Sequence, residues 1–238
     1  MNILRDMTSF SRSTVTGAVQ TLRRLFRPGS PVPTEPLSRQ FGFDRGQPID
    51  RHYIEAFLAA NAAEIRGEVL EVGSPAYTHR YGTSQVTRSL VLNGVGGDAI
   101  LNMDLSRTAD VPEGMADCFI CTQTFNFIFD VQAAVHSSFR LLRPGGTLLA
   151  TVAGITQISG YDRERWGDYW RFTECSMKAL LAPVFGDRFE VRVWGNLHAA
   201  TALLQGQAIE DLERPELLDV ADPDYPVVIT AVARRAQA

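Results

Sequence analysis

The sequence predicts an α/β fold in which a mostly parallel sheet is covered by helices on both faces. Three observations predict it. Apolar runs of strand length alternate with segments of helical period along most of the chain. The connections between them are short, as βαβ units require. Strand ends coincide with a glycine or an acid, as at Val72-Gly73 and Met103-Asp104, the position where open α/β sheets place their ligands.

Residues 9–26 carry Val15, Val19, Leu22 and Phe26 at helical spacing, and the run from Pro28 to Pro33 marks a linker. The expected organisation is therefore an N-terminal helix and Pro-rich linker over 1–34, followed by one domain over 35–238. Ile49 to Ala63 reads as a helix with Ile54, Phe57 and Leu58 on one side. Val69–Val72, Val86–Leu92, Ala99–Met103 and Cys118–Cys121 read as four strands, and a helix follows from about Val131 to Leu142. The turn Arg143-Pro144-Gly145-Gly146 feeds a fifth strand, Thr147–Val152. Leu180–Phe185 ends a further helix, and Phe189–Val193 and Val227–Val232 are strand-like. Only about a dozen residues separate the first two strands, too few for a normal crossover helix with its loops.

Composition excludes several function classes. The net charge of -4 gives no basic footprint for a nucleic-acid backbone. No apolar run approaches the roughly eighteen residues of a membrane span, and no secretory signal is legible, so the cytoplasm is expected. Arginines gather in residues 1–30 and acids in Glu210–Asp224; both read as solvated faces, with a membrane surface or a partner as the other reading of the basic end. Cys118 and Cys121 stand three apart on a strand and so point to opposite faces, which suits buried small side chains rather than a metal or disulfide pair. The four histidines form no close cluster, and no metal is expected.

Four stretches, in this order, resemble the class I S-adenosylmethionine-dependent methyltransferases. Val69-Leu70-Glu71-Val72-Gly73 is similar to their first-strand motif, and Asp104-Leu105 resembles the acidic residue after strand three. Asp117–Cys121 resembles strand four, and Leu142–Leu149 resembles the helix-turn-strand that follows. Asp168–Thr173 looks like a stretch seen in methyltransferases found near polysaccharide and glycosyl-transfer enzymes. The resemblance implies a Rossmann-like, mostly parallel seven-stranded sheet with helices on both faces and, in this chain, a shortened first crossover. The chain departs from the family after the first strand, where only one early glycine stands and Pro75 lacks an amide donor. Asn93 stands where the family carries a ribose-binding acid after strand two.

Carried over residue by residue, the resemblance implies S-adenosyl-L-methionine as cofactor, bound by Glu71, Gly73, Asn93, Asp104, Thr122 and Gln123. Tyr77 and Thr78 supply hydroxyls where backbone amides are missing. The expected reaction is methyl transfer to a small-molecule acceptor, a sugar or glycoside hydroxyl, with alignment and proton removal as the protein's contribution. Asp168 and His52 are the candidate bases, and the aromatic and charged stretch Tyr161–Phe172 is assigned to the acceptor side. Expected partners are the acceptor and either a second copy of the chain or a glycosyltransferase; no nucleic acid is expected. The alternative reading is a non-catalytic, methyltransferase-like scaffold beside a glycosyl-transfer enzyme. A nicotinamide oxidoreductase is disfavoured because no GxGxxG follows Val72.

Overall fold

Seven strands build one sheet: β1 (Gly67–Val72), β2 (Val86–Leu92), β3 (Ala99–Leu101), β4 (Ala116–Thr122), β5 (Leu142–Ala153), β6 (Phe189–Trp194) and β7 (Val228–Arg234). Their order is β3-β2-β1-β4-β5-β7-β6. The pairs from β3 to β5 are parallel, whereas β7 runs antiparallel to β5 and β6. The computed structural model describes residues 34–237, so the helix expected over 9–26 and the linker Pro28–Pro33 lie outside the described residues. The compact unit that carries the sheet begins at Pro36. Among the described residues, no helix is long and apolar enough to cross a membrane.

From β1 the chain steps outward through β2 to β3, then returns to lay β4 on the other side of β1. That reversal opens a crevice beyond the carboxyl ends of β1 and β4. Among the described residues, six helices accompany the sheet: α1 (Ile49–Ala60), α2 (Ala76–Tyr81), α3 (Val131–Leu141), α4 (Gly160–Arg165), α5 (Glu174–Phe185) and α6 (Leu197–Leu204). The period of two along β4 divides the core. Phe119 and Cys121 face a layer built with Val135 of α3 and Leu181 of α5, while Cys118 and Ile120 face Ile54 and Leu58 of α1 and Leu203 of α6. The two cysteines thus lie on opposite faces, both buried, and burial pushes the Cys121 thiol up to about 12.

Several boundaries differ from the sequence reading for local reasons. The first helix stops at Ala60 rather than Ala63 because Asn61 turns back, its side-chain amide donating to the Phe57 carbonyl at 2.8 Å. The expected Pro-Gly-Gly turn lies inside β5, which already pairs at Leu142 with Ala116 before its register jumps to Thr147 opposite Cys118. The bulge between them brings three carbonyls against Gly146, where a Cβ would stand 2.9 Å from the Arg143 oxygen. α6 has no counterpart in the sequence reading, although its start is marked: the Asn196 side chain accepts from the Ala199 amide at 2.9 Å. The first crossover is short, α2 having six residues.

Candidate active site

Two adjoining cavities occupy the crevice. One, of about 780 Å³, is walled by the start of α1, by α2 and by the loops after β1, β4 and β5. The other, of about 880 Å³, lies over the ends of β1, β2 and the loop after β3. Val72, Gln123, Phe127 and Asp162 border both. Gln123 leaves β4 at φ +48°, a costly conformation for a residue other than glycine. It is held there by its amide, which donates to the Thr151 carbonyl at 2.8 Å, and by its Oε1, which accepts from Asn126 at 2.9 Å.

The larger cavity collects Gly73, Asn93 and Asp104. Gly73 has φ +83°, and a Cβ there would meet nothing within 4 Å, so its Cα faces open space at the strand end. Asn93 spends its side chain on the β3 exit, donating to the Met103 carbonyl at 2.6 Å and accepting from the Met103 amide at 2.9 Å. Asp104 accepts from the amide and hydroxyl of Ser106 through the same oxygen, Oδ1, at 2.9 and 2.7 Å. The loop after β2 is pressed against the loop after β1: the Val95 amide donates to the Gly73 carbonyl at 2.9 Å, and a Cβ on Gly94 would stand 1.7 Å from that oxygen.

The smaller cavity collects Glu71, Tyr77 and Thr122. Pro75 precedes α2 without a side-chain cap, and Glu71 takes over that task from the neighbouring strand. Its carboxylate accepts from the Tyr77 amide at 3.0 Å, the Thr78 amide at 2.7 Å and the Thr78 hydroxyl at 2.7 Å. Burial pushes the Glu71 carboxyl upward, against the pull of these donors on its charged form. Thr78 is consumed by this clasp and lines neither cavity, whereas the Tyr77 hydroxyl accepts from Arg51 at 2.9 Å.

The two expected bases receive other tasks. The Asp168 side chain is 1% exposed and is gripped by Arg171 at 2.5 and 2.9 Å and by the Ser159 amide at 2.8 Å. Burial works in the opposite direction, yet the Arg171 guanidinium and this amide hold its carboxyl below the usual carboxylate range. Asp168 therefore fastens the segment Thr156–Arg171, and a carboxylate so engaged is a poor proton acceptor. His52 borders neither cavity and sits 2.9 Å from Asp219. The Tyr161–Phe172 stretch is also divided rather than given wholly to one side: Trp166 and Tyr169 border the larger cavity, Asp168 and Arg171 the smaller. Trp170 borders neither; it stacks on Phe129 and donates to the Ile128 carbonyl at 3.1 Å.

A family model described as methyltransferase domain matches residues 77–150. A search of curated proteins finds no match. Among solved structures, the chain is similar to an S-adenosylmethionine-dependent methyltransferase from Mesorhizobium loti, with 15% identity and a TM-score of 0.52 over 79% of this chain and 100% of that one. It is also similar to the N-methyltransferase NodS from Bradyrhizobium japonicum, solved with S-adenosyl-L-homocysteine, at 12% identity and a TM-score of 0.50 over 90% and 97% of the two chains. A third match is the [4+2]-cyclase SpnF, at 13% identity and a TM-score of 0.50 over 94% of each chain. This is the class I methyltransferase fold. The solved structures show the fold, and the methyltransferase-domain model agrees with it over residues 77–150.

Within that fold, a glycine cluster absent from the expected site residues lies after the second strand. Gly94, Gly96 and Gly97 follow β2, although the fold's glycines are expected after β1. Asp50 and Arg51, absent from the expected site residues, both border the smaller cavity beside Glu71 and Tyr77.

Proposed function

We propose that this protein transfers a methyl group from S-adenosylmethionine to a hydroxyl of a small molecule, a sugar or glycoside. The observation that carries the reading is the pair of adjoining cavities at the sheet's switch point, sharing Val72, Gln123, Phe127 and Asp162. The open space over the Gly73 Cα fits a donor lying close against the β1 end. Gly73, Asp104 and Gln123 would hold its nucleoside side, with Asn93 fixing the β3 exit beside them. When bound, the donor supplies a methyl group on a positively charged sulfur, already activated as a leaving group.

The chain's own residues then align the acceptor and take its proton. Asp162 is the carboxylate common to both cavity walls, which makes it a better base than Asp168 or His52. Phe41, Phe43 and Phe127 give the smaller cavity flat apolar area beside its charged groups, a combination suited to a sugar face. The test is a methyl-transfer assay over a panel of sugars, nucleotide-sugars and glycosides. We expect turnover on at least one, and a loss of about 100-fold or more in Asp162→Asn with donor affinity kept. Donor binding without turnover on any member would favour the non-catalytic scaffold, a reading supported by the diversion of Glu71 into the α2 cap.

A further inference from the structure

The helices α4 and α5 both begin with a hydroxyl cap, but they complete it differently. At α5 the exchange is reciprocal. The Thr173 hydroxyl accepts from the Ser176 amide at 3.2 Å, and the Ser176 hydroxyl accepts from the Thr173 amide at 2.9 Å. At α4 only half of it is made. The Ser159 hydroxyl accepts from the Asp162 amide at 3.3 Å, and Asp162 holds the third helical position, where an acid usually reaches back to the cap amide. Here that amide goes instead to Asp168, at 2.8 Å. Against the upward push of burial, the Arg171 guanidinium and this amide hold the Asp168 carboxyl below the usual carboxylate range, so a charged acceptor occupies the place. Arg171 also donates to the Gln157 carbonyl at 2.5 Å, which ties the pair to the start of the same segment.

Displaced from the cap, the Asp162 carboxylate keeps one hydrogen bond, in which its Oδ2 accepts from the Ser159 hydroxyl at 2.5 Å. Its Oδ1 has no partner among the described residues. Ser159, Asp162, Asp168 and Arg171 all border the smaller cavity, and Asp162 borders the larger one as well. We infer that Ser159 and the Asp168–Arg171 pair are positioning groups for the base: Asp168 relieves Asp162 of the capping bond, and the Ser159 hydroxyl fixes Oδ2, which leaves Oδ1 to take the acceptor's proton. As the acceptor oxygen bonds to the methyl carbon, the methyl–sulfur electron pair stays on sulfur and the hydroxyl proton passes to Oδ1. Ser159 is 5% exposed, so water competes poorly for its hydroxyl. The inference rests on the reading of Asp162 as the base, and it gives the buried ion pair at Asp168 a part in the reaction without contact with the acceptor.

A double-mutant cycle on the full chain tests this, with turnover measured on the panel of sugars, nucleotide-sugars and glycosides and S-adenosylhomocysteine binding measured by calorimetry. Assays run well below the melting temperature of each variant, so that all are fully folded. Ser159→Ala should lower kcat by about tenfold or more while acceptor KM and S-adenosylhomocysteine affinity stay within about twofold. Ser159→Thr keeps both the hydroxyl and the cap and should restore most of the rate. Asp168→Ala leaves the Ser159 amide free to recapture Asp162 and should lower kcat in the same way. In an Asp162→Asn background, Ser159→Ala should cost less than about twofold more, because the two groups act as one unit. An equal loss from Ser159→Ala in both backgrounds, a loss carried by KM or by nucleoside binding, or no loss at all would overturn the inference. If Asp162→Asn is as active as the wild type, or if no member of the panel turns over, the reading of Asp162 as the base fails first and the inference falls with it.

Discussion

At the scale of single residues, the crevice depends on two contrasting glycines. Gly73 turns an open face to the cavity, whereas Gly94 has no room at all, its Cα lying against the Gly73 carbonyl. Gly94→Ala must push the two loops apart, and overpacking of this kind costs about 1–3 kcal/mol. We expect a lower melting temperature together with weaker nucleoside binding, both measurable on the same sample; an alanine variant of unchanged stability would contradict the packing described. Asp168 gives a second expectation, this time in pH. Its carboxyl is held below the usual range, so its contribution is present above the unfolded value of about 3.9 and is lost as pH falls through the folded value. Asp168→Asn should therefore lose about 2 kcal/mol at pH 7, with the gap to wild type narrowing in acid. Unfolding curves for both proteins at several pH values check this, and a gap that stays constant in acid would argue against the Arg171 grip.

At the scale of elements, the shortened crossover explains much of the local chemistry. A six-residue helix is marginal by itself, and Pro75 offers no side-chain cap. Glu71 supplies the missing acceptors from β1, two of them serving backbone amides. Glu71→Ala should cost about 2 kcal/mol and speed hydrogen exchange at the Tyr77 and Thr78 amides. If Glu71 served only a ligand, neither would change. The brevity of this crossover was readable because it follows from a residue count between two apolar strands. The redirection of Glu71 was not readable, since a strand-end acid looks the same whether it faces a ligand or a helix start. The same holds for Asp168: an acid three residues before an arginine is common, and only the fold buries the pair. β2 was legible end to end, Val86–Leu92, because its β-branched start and apolar Leu90–Leu92 are bounded by polar turns. β5 was not, because its bulge breaks the period.

At the scale of the whole molecule, the strand order places β1 beside β4, and that adjacency makes the ligand crevice. Similar folds carry more than one chemistry, as the likeness to a [4+2]-cyclase illustrates, so the architecture alone does not fix the reaction. Methyl transfer of the kind proposed requires that the crevice bind a methyl-donor nucleoside against Gly73. Calorimetric titration of the full chain with S-adenosylhomocysteine tests that most directly. One site per chain with a micromolar dissociation constant is expected, abolished in a folded Gly73→Val variant whose side chain fills the open space. No heat of binding at millimolar nucleoside, or unchanged affinity in Gly73→Val, would contradict it.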